Sequence, residues 1–368
     1  MTKLNNVFVF FVLFSLSLNE FYHETFGRIL DYFAIILIIF YFFLNKKNRL
    51  ISKGDFSIFL FFVPFIIWGF INVKILPSLA VLLGCSVIAI FAKNVSKTCR
   101  DLIYILDIVI LLHFSAFIAQ IFFFYVLKIP FSYLDYFPNL QQSRIYNEGL
   151  NLLRPGGFMM EPNSYSANIF MLTFINYKLN KNKITHISLF ALITVPFTTS
   201  LWGIALLILL VFLSFKLIYK IISFGLIIIS TTIIYQILDN SIAFERVIRI
   251  LEDPTSDNSI VTRLGLDSSY KSNVINLIFG NGINSTDFQS FLGGNGISYV
   301  IFCFGILGTI FLFYWFYLSN NFKMLVLFIF FHLTYPYYSY LIFWFFLSIS
   351  LKNIHISSID KKFSIDNI

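Results

Sequence analysis

The feature that most constrains this chain is a succession of apolar runs, each close to the length of a bilayer crossing and each closed by a polar stretch. Val7–Phe21, Ile29–Leu44, Phe56–Ile71, Ile75–Ala92 and Leu102–Leu127 come first. A spanning helix needs about 20 mainly apolar residues, so runs of this kind, one after another, predict a polytopic membrane protein. Composition agrees: with 58% of the residues hydrophobic and only 12% charged, too few polar groups exist to cover a globular core in water. Val7–Phe21 has the length of a signal segment. It runs into Asn19-Glu20-Phe21-Tyr22 rather than a small-residue cleavage site, which predicts a retained helix.

The cations set an orientation. With Lys3 inside, Lys46, Lys47, Arg49 and Lys53 follow the second run and Lys93, Lys97 and Arg100 the fourth, all on the cytoplasmic side. The linkers after the first and third runs carry only Arg28 and Lys74, as the positive-inside rule requires of outer loops. The same parity continues through Tyr165–Tyr177, Ile184–Phe197, Leu201–Phe215, Ile221–Leu238, Ile297–Leu318, Met324–Thr334 and Tyr338–Leu351. The expectation is an all-α protein with about 12 transmembrane helices and both termini cytoplasmic. It forms one integral membrane domain over residues 1–368, with two long outer loops, 128–164 and 239–295.

The net charge of +8 does not point to nucleic acid, because the lysines are scattered between apolar runs and form no stripe. Cys85, Cys99 and Cys303 have no C-x-x-C spacing, so neither a disulfide framework nor a zinc site is predicted. His113 and His332 stand isolated in apolar surroundings and read as packed, hydrogen-bonded residues. Asp31 and Asp107 lie within a turn or so of a span boundary and read as carboxylates that snorkel to the interface. No metal, Walker-type or Ser/His/Asp pattern is present.

The polar stretch Arg154-Pro-Gly-Gly-Phe-Met-Met-Glu-Pro-Asn-Ser-Tyr-Ser-Ala167 stands apart. It sets an arginine, a carboxylate and an asparagine within ten residues. Pro155 and Pro162 break a continuous helix, Gly156 and Gly157 permit unusual backbone angles, and Asn163 or Ser164 is positioned to cap the helix that follows. Glu161 is a candidate proton acceptor, since burial near the membrane plane would raise its pKa; a simple ion pair with Arg154 is the alternative.

Arginine is unevenly distributed. Of the 8 in the chain, Arg144, Arg154, Arg246, Arg249 and Arg263 lie in the two long outer loops, against only Lys128 and Lys271 of the 18 lysines. Positive-inside bias predicts fewer outer cations, not a change of type. The guanidinium fork grips phosphate oxygens through paired hydrogen bonds, so this distribution points to a phosphate or pyrophosphate ligand, with lipid headgroups or nearby acids as the alternative partners. Arg246 and Arg249 share a face of a predicted surface helix, Asn240–Leu251, while Glu245 stands four residues before Arg249. Leu264–Phe279 reads as a second helix, ended by Gly280-Asn-Gly282. Gly293-Gly-Asn-Gly-Ile297 reads as a turn at a helix entrance, whose N–H groups could meet a phosphate or sugar hydroxyl.

Arg154, Gly157, Pro162, Asn163 and Ala167 together resemble the R-x-x-G-x-x-x-x-P-N-x-x-x-A signature of the bacterial O-antigen polymerase and O-antigen ligase superfamily. Ser259 to Arg263, Leu277-Ile-Phe-Gly-Asn-Gly282, and Asn295 to Gly308 resemble its later elements, so the likeness covers about Arg154–Gly308. The resemblance implies a GT-C-like glycosyltransferase of the bacterial inner membrane that uses undecaprenyl-pyrophosphate-linked oligosaccharides as donor and acceptor on the periplasmic face. No cofactor is implied. Arg154, Arg249 and Arg263 would neutralise the departing pyrophosphate, Glu161 would take the acceptor proton, and Arg144, Asn163, Arg246 and Asn295 would bind substrate. A chain-length regulator and a flippase would be partners. Ligases of the superfamily tend to carry a histidine where this chain has Gly294-Asn295, which favours a repeat-unit polymerase over a ligase acting on a lipid A core. The different-class alternative is a lipid-linked oligosaccharide flippase, which would concentrate charge within its spans rather than in arginine-bearing outer loops.

Overall fold

A computed structural model describes residues 2–18, 20–23, 27–44, 84, 87–96, 99, 101–136, 146–147, 152–198, 200–214, 221, 225, 229, 274–280, 301, 305–310, 326, 329–331 and 341–350. The chain is α-helical. Among the described residues, the strands are two antiparallel pairs of two residues each, Tyr22–His23 with Gly27–Arg28 and Tyr146–Asn147 with Leu152–Leu153. It divides into two compact units, one formed by 1–46 and 95–252, the other by 47–94 and 253–368.

Among the described residues, six α-helices carry the first unit: α1 Thr2–Ser17, α2 Ile29–Leu44, α3 Leu102–Tyr125, α4 Pro162–Leu179, α5 His186–Phe197 and α6 Leu201–Ser214. Their bounds lie within a few residues of the apolar runs, and α2 coincides with its run. Among the described residues one helix, Leu102–Tyr125, is long and apolar enough to cross a membrane; at 1.5 Å per residue it reaches about 36 Å. The other described apolar helices are shorter, 10–17 residues.

Helix α4 is the axis. Every residue from Tyr165 to Tyr177 is buried, and α3, α5 and α6 pack against it. Its sequence explains the position: Ser166, Asn168, Thr173 and Asn176 punctuate the apolar residues, too polar for an outer surface in lipid and suited to hydrogen bonds between helices. Ser166 and Gly203 show how tightly it is held. A Cβ on Gly203 would collide with the Ser166 side chain, so α4 and α6 approach as closely as small residues allow.

Helix α2 is the opposite case. Asp31, Ala34, Ile38 and Tyr41 form a buried stripe facing α1. Tyr32, Phe33, Ile36, Ile39, Phe40 and Phe43 are exposed. An outward face as apolar as the inward one is what a helix presents to hydrocarbon rather than to water.

Of three polar residues inside helices, the two carboxylates differ in detail from expectation. Asp31 is buried and lies 3.9 Å from Arg28 across one turn. Asp107, part-buried near the start of α3, is held by its neighbours. Its Oδ1 accepts from Asn176 Nδ2 at 2.9 Å and from the Thr185 hydroxyl at 2.6 Å, tying α3 to the end of α4 and the start of α5. His113 meets its expectation: fully buried, it lies 2.8 Å from Ser17 Oγ through Nε2, and Ser17 donates its own proton to the Phe14 carbonyl, so the imidazole is the donor.

In the second unit, Leu341–Ser350 is buried along nearly its whole length, and Phe343 and Phe346 pack on Phe331 at ring separations of 5.6 and 5.9 Å. Phe345 meets Phe91 at 6.2 Å.

Candidate functional site

Hydrogen bonds between distant residues sort the helix ends of the first unit into two groups. At one end Asn6 donates to Asp101, and Asp107 holds Asn176 and Thr185. At the other end come the C-terminus of α1, the hairpin leading to α2, the last turns of α3, the N-terminus of α4, the C-terminus of α5 and the N-terminus of α6. The segment Arg154–Asn163 lies at this second end.

Its shape is imposed from outside. Gln120, fully buried near the end of α3, uses both halves of its amide: Oε1 accepts from Gly156 N at 3.0 Å and Gly157 N at 2.8 Å, and Nε2 donates to Gly157 O at 2.8 Å. Gly157 has φ +60°, and a Cβ there would stand 3.2 Å from the Tyr165 ring and 3.3 Å from the His113 carbonyl oxygen. A glycine is therefore required both by the backbone and by the space. Phe158 wedges between Phe14, His113 and Tyr133 at ring separations of 6.0, 5.6 and 4.8 Å. The Tyr165 hydroxyl lies 2.7 Å from Thr194 Oγ1 on α5 and its ring stacks on Phe117 at 4.8 Å.

Helix α4 begins at Pro162 with Glu161 as its N-cap residue, so Asn163 and Ser164 lie inside its first turn rather than capping it. Proline at the first position brings the helical φ ready-made and lacks an N–H that would go unbonded there. Asn163 is used differently: the Ser200 hydroxyl donates to its Oδ1, and Ser200 Oγ accepts from Gly203 N at 2.9 Å, fastening α4 to α6. The Glu161 side chain makes no capping bond. The backbone N–H groups just ahead of the helix are taken by Glu20, from the linker after α1, whose Oε2 accepts from Met160 N at 2.6 Å and Glu161 N at 3.3 Å.

Burial drives the Glu20 carboxyl from 4.5 up to about 7, and the Glu161 charge pushes the same way. The Ser164 hydroxyl and the two backbone N–H groups oppose the shift without cancelling it. A part-buried acid near neutrality, a second acid beside it and an arginine in the same segment form a place where a proton can be exchanged next to an anion.

Of the residues singled out in the sequence, Arg154, Glu161 and Asn163 lie together in this segment, with Arg154 and Glu161 both partly exposed. Arg144, Arg246, Arg249, Arg263 and Asn295 lie outside the described residues. Glu20 and Gln120 escaped the sequence reading. The signal for Gln120 was a lone amide inside a 24-residue apolar helix, which hydrocarbon does not tolerate unpaired; the signal for Glu20 was an acid closing an apolar run. Among the described residues no three His, Cys, Asp or Glu side chains gather as a metal site would require.

In the second unit the glycine motif takes the form expected of a helix end. Val274–Phe279 stops at Gly280, with φ +86°, and Gly305 packs so closely on the backbone of Ile278–Gly280 that a Cβ has no room. Comparison with protein-family models, with curated proteins and with solved structures finds no match to this chain.

Proposed function

We propose that the protein is a membrane-embedded glycosyltransferase of the O-antigen or capsular repeat-unit polymerase kind. It transfers a growing glycan from its polyprenyl-pyrophosphate carrier to the next lipid-linked repeat, on the periplasmic face of the inner membrane. The observation that carries the reading is the Arg154–Asn163 segment: a glycine turn clamped by a buried glutamine, with an arginine, Glu161 and the Glu20 carboxylate set against it, at one end of a helix bundle whose sequence asks for lipid. A loop that only linked two spans would have no need of a buried amide spent entirely on its backbone.

In this reading Arg154, with Arg249 and Arg263 from the second outer loop, neutralises the leaving pyrophosphate, and Arg144, Asn163, Arg246 and Asn295 bind donor and acceptor. Glu161 belongs to the acid pair that serves the acceptor hydroxyl. About 12 spans, cytoplasmic termini and partnership with a flippase and a chain-length regulator belong to the same reading.

Deleting the gene and resolving surface polysaccharide by size tests it. A polymerase null leaves lipid A core bearing a single repeat. Undecorated core with chains still on carrier lipid would mean a ligase, and no outward repeats at all a flippase. Arg154→Lys keeps the charge but loses the paired hydrogen bonds, so it should reproduce the polymerase null at a normal protein level; full-length chains from that variant would remove the bidentate role.

A further inference from the structure

The acid that the fold brings forward lies far outside the motif. Glu20 stands 141 positions before Glu161 in the chain, yet its carboxylate bonds Met160 N, Glu161 N and Ser164, the residues on either side of the α4 N-terminus. A carboxylate has about four lone-pair sites, so three donors leave room for one more partner. Glu20 is part-buried and lies at the segment that carries Arg154.

Resting on the glycosyl-transfer reading above, we propose that Glu20 is the general base that takes the proton of the acceptor sugar hydroxyl, with Glu161 as its supporting neighbour. In the step, the acceptor hydroxyl oxygen bonds to the anomeric carbon of the donor glycan. The bond from that carbon to the carrier pyrophosphate breaks, its electron pair leaves on the pyrophosphate oxygen, and the hydroxyl proton moves to the Glu20 carboxylate. The donors already on Glu20 aim the group, and fixed geometry is what a general base needs first. Its position near neutrality makes it a stronger proton acceptor than an ordinary carboxylate, half ionised near pH 7 and ionised above it.

The acidic and histidine side chains on the helices packed against α1 are engaged elsewhere. Asp31 of α2 faces Arg28 at 3.9 Å, His113 of α3 bonds Ser17, and Asp107 of α3 holds Asn176 and Thr185. Among the described residues Glu161 is the charged group that acts on Glu20.

The test uses the full-length protein in lipid nanodiscs and the lipid-linked repeat extracted from the gene-deleted strain, with chain extension followed across pH. Wild-type kcat should fall as pH drops below about 7, as the Glu20 carboxylate takes up a proton. Glu20→Gln keeps the length and an oxygen acceptor for the backbone N–H groups. It should lower kcat by roughly 10²–10⁴-fold with KM little changed, and the acid limb should vanish from the residual rate. Glu20→Asp should restore part of the rate together with the acid limb, which a purely structural role would not produce. Glu161→Gln should retain the limb near pH 7. Near-normal kcat in Glu20→Gln, a defect in KM alone, or loss of the limb in Glu161→Gln instead would each overturn the assignment. A wild-type protein that leaves the extracted repeat unextended would overturn the glycosyl-transfer reading itself, and the inference with it.

Discussion

Gly157 is where the demands on the candidate site converge on one residue: positive φ, the Tyr165 ring on one side, the His113 carbonyl on the other, and both backbone groups taken by Gln120. Gly157→Ala should cost about 1–2 kcal/mol from the left-handed backbone alone, more where the crowded neighbours must shift, read as a lowered Tm in detergent. Glu20 carries a pH signature of the opposite kind to an ordinary paired acid. Its folded pKa, about 7, lies above its ordinary 4.5, so the folded state holds the proton more tightly than the unfolded one. That contribution is full below pH 4.5 and is lost as pH rises to about 7. Glu20→Gln should therefore raise stability relative to wild type at pH 8, by up to on the order of 3 kcal/mol, reduced by the group's partial exposure. The two proteins should converge near pH 4, and thermal melts at both values check the sign.

At the scale of elements, α3 holds two polar clamps, one toward each end. Gln120 fixes the glycine turn near its C-terminus, and Asp107 gathers α4 and α5 nearer its N-terminus. Gln120→Leu strands two N–H groups and a carbonyl in a buried place, at about 1–3 kcal/mol for each group left unsatisfied. Polymer should be lost, because the turn bearing Arg154 loses its template. Asp107→Ala should also destabilise, taking from Asn176 and Thr185 the shorter of their two acceptor contacts, yet chain extension per folded molecule should stay near wild type because the loss falls at the other end. Purified variants compared for melting temperature and for rate per folded protein separate the two. Equal loss of rate in both would mean that the segment depends on bundle stability in general rather than on Gln120.

For the molecule as a whole, the side of the membrane on which each group of helix ends lies is what the proposed reading depends on. Reporter fusions after residues near 150 and near 260 should both report the periplasm, whereas a fusion near 181, beside the exposed Lys181, should report the cytosol. Either loop found in the cytosol would separate the arginines from a periplasmic pyrophosphate and end the polymerase reading.

Sequence alone determined the helical class, the ends of the described helices to within a few residues, and the segment from Arg154 to Ala167, because hydrophobic run length, proline and glycine act locally and leave their mark wherever they stand. The same local logic placed His113 among the packed residues. It misplaced the α4 cap, since Asn163 has the right chemistry for its own N-terminus but is taken up by Ser200 from α6, while Pro162 starts the helix earlier. Only the tertiary structure decided that Gln120 would shape the glycine turn and that Glu20 would hold the backbone just ahead of α4 and approach neutrality as an acid. Those outcomes depend on which helices meet and on how much water the meeting excludes, and a carboxylate or an amide in a one-dimensional chain carries no record of either.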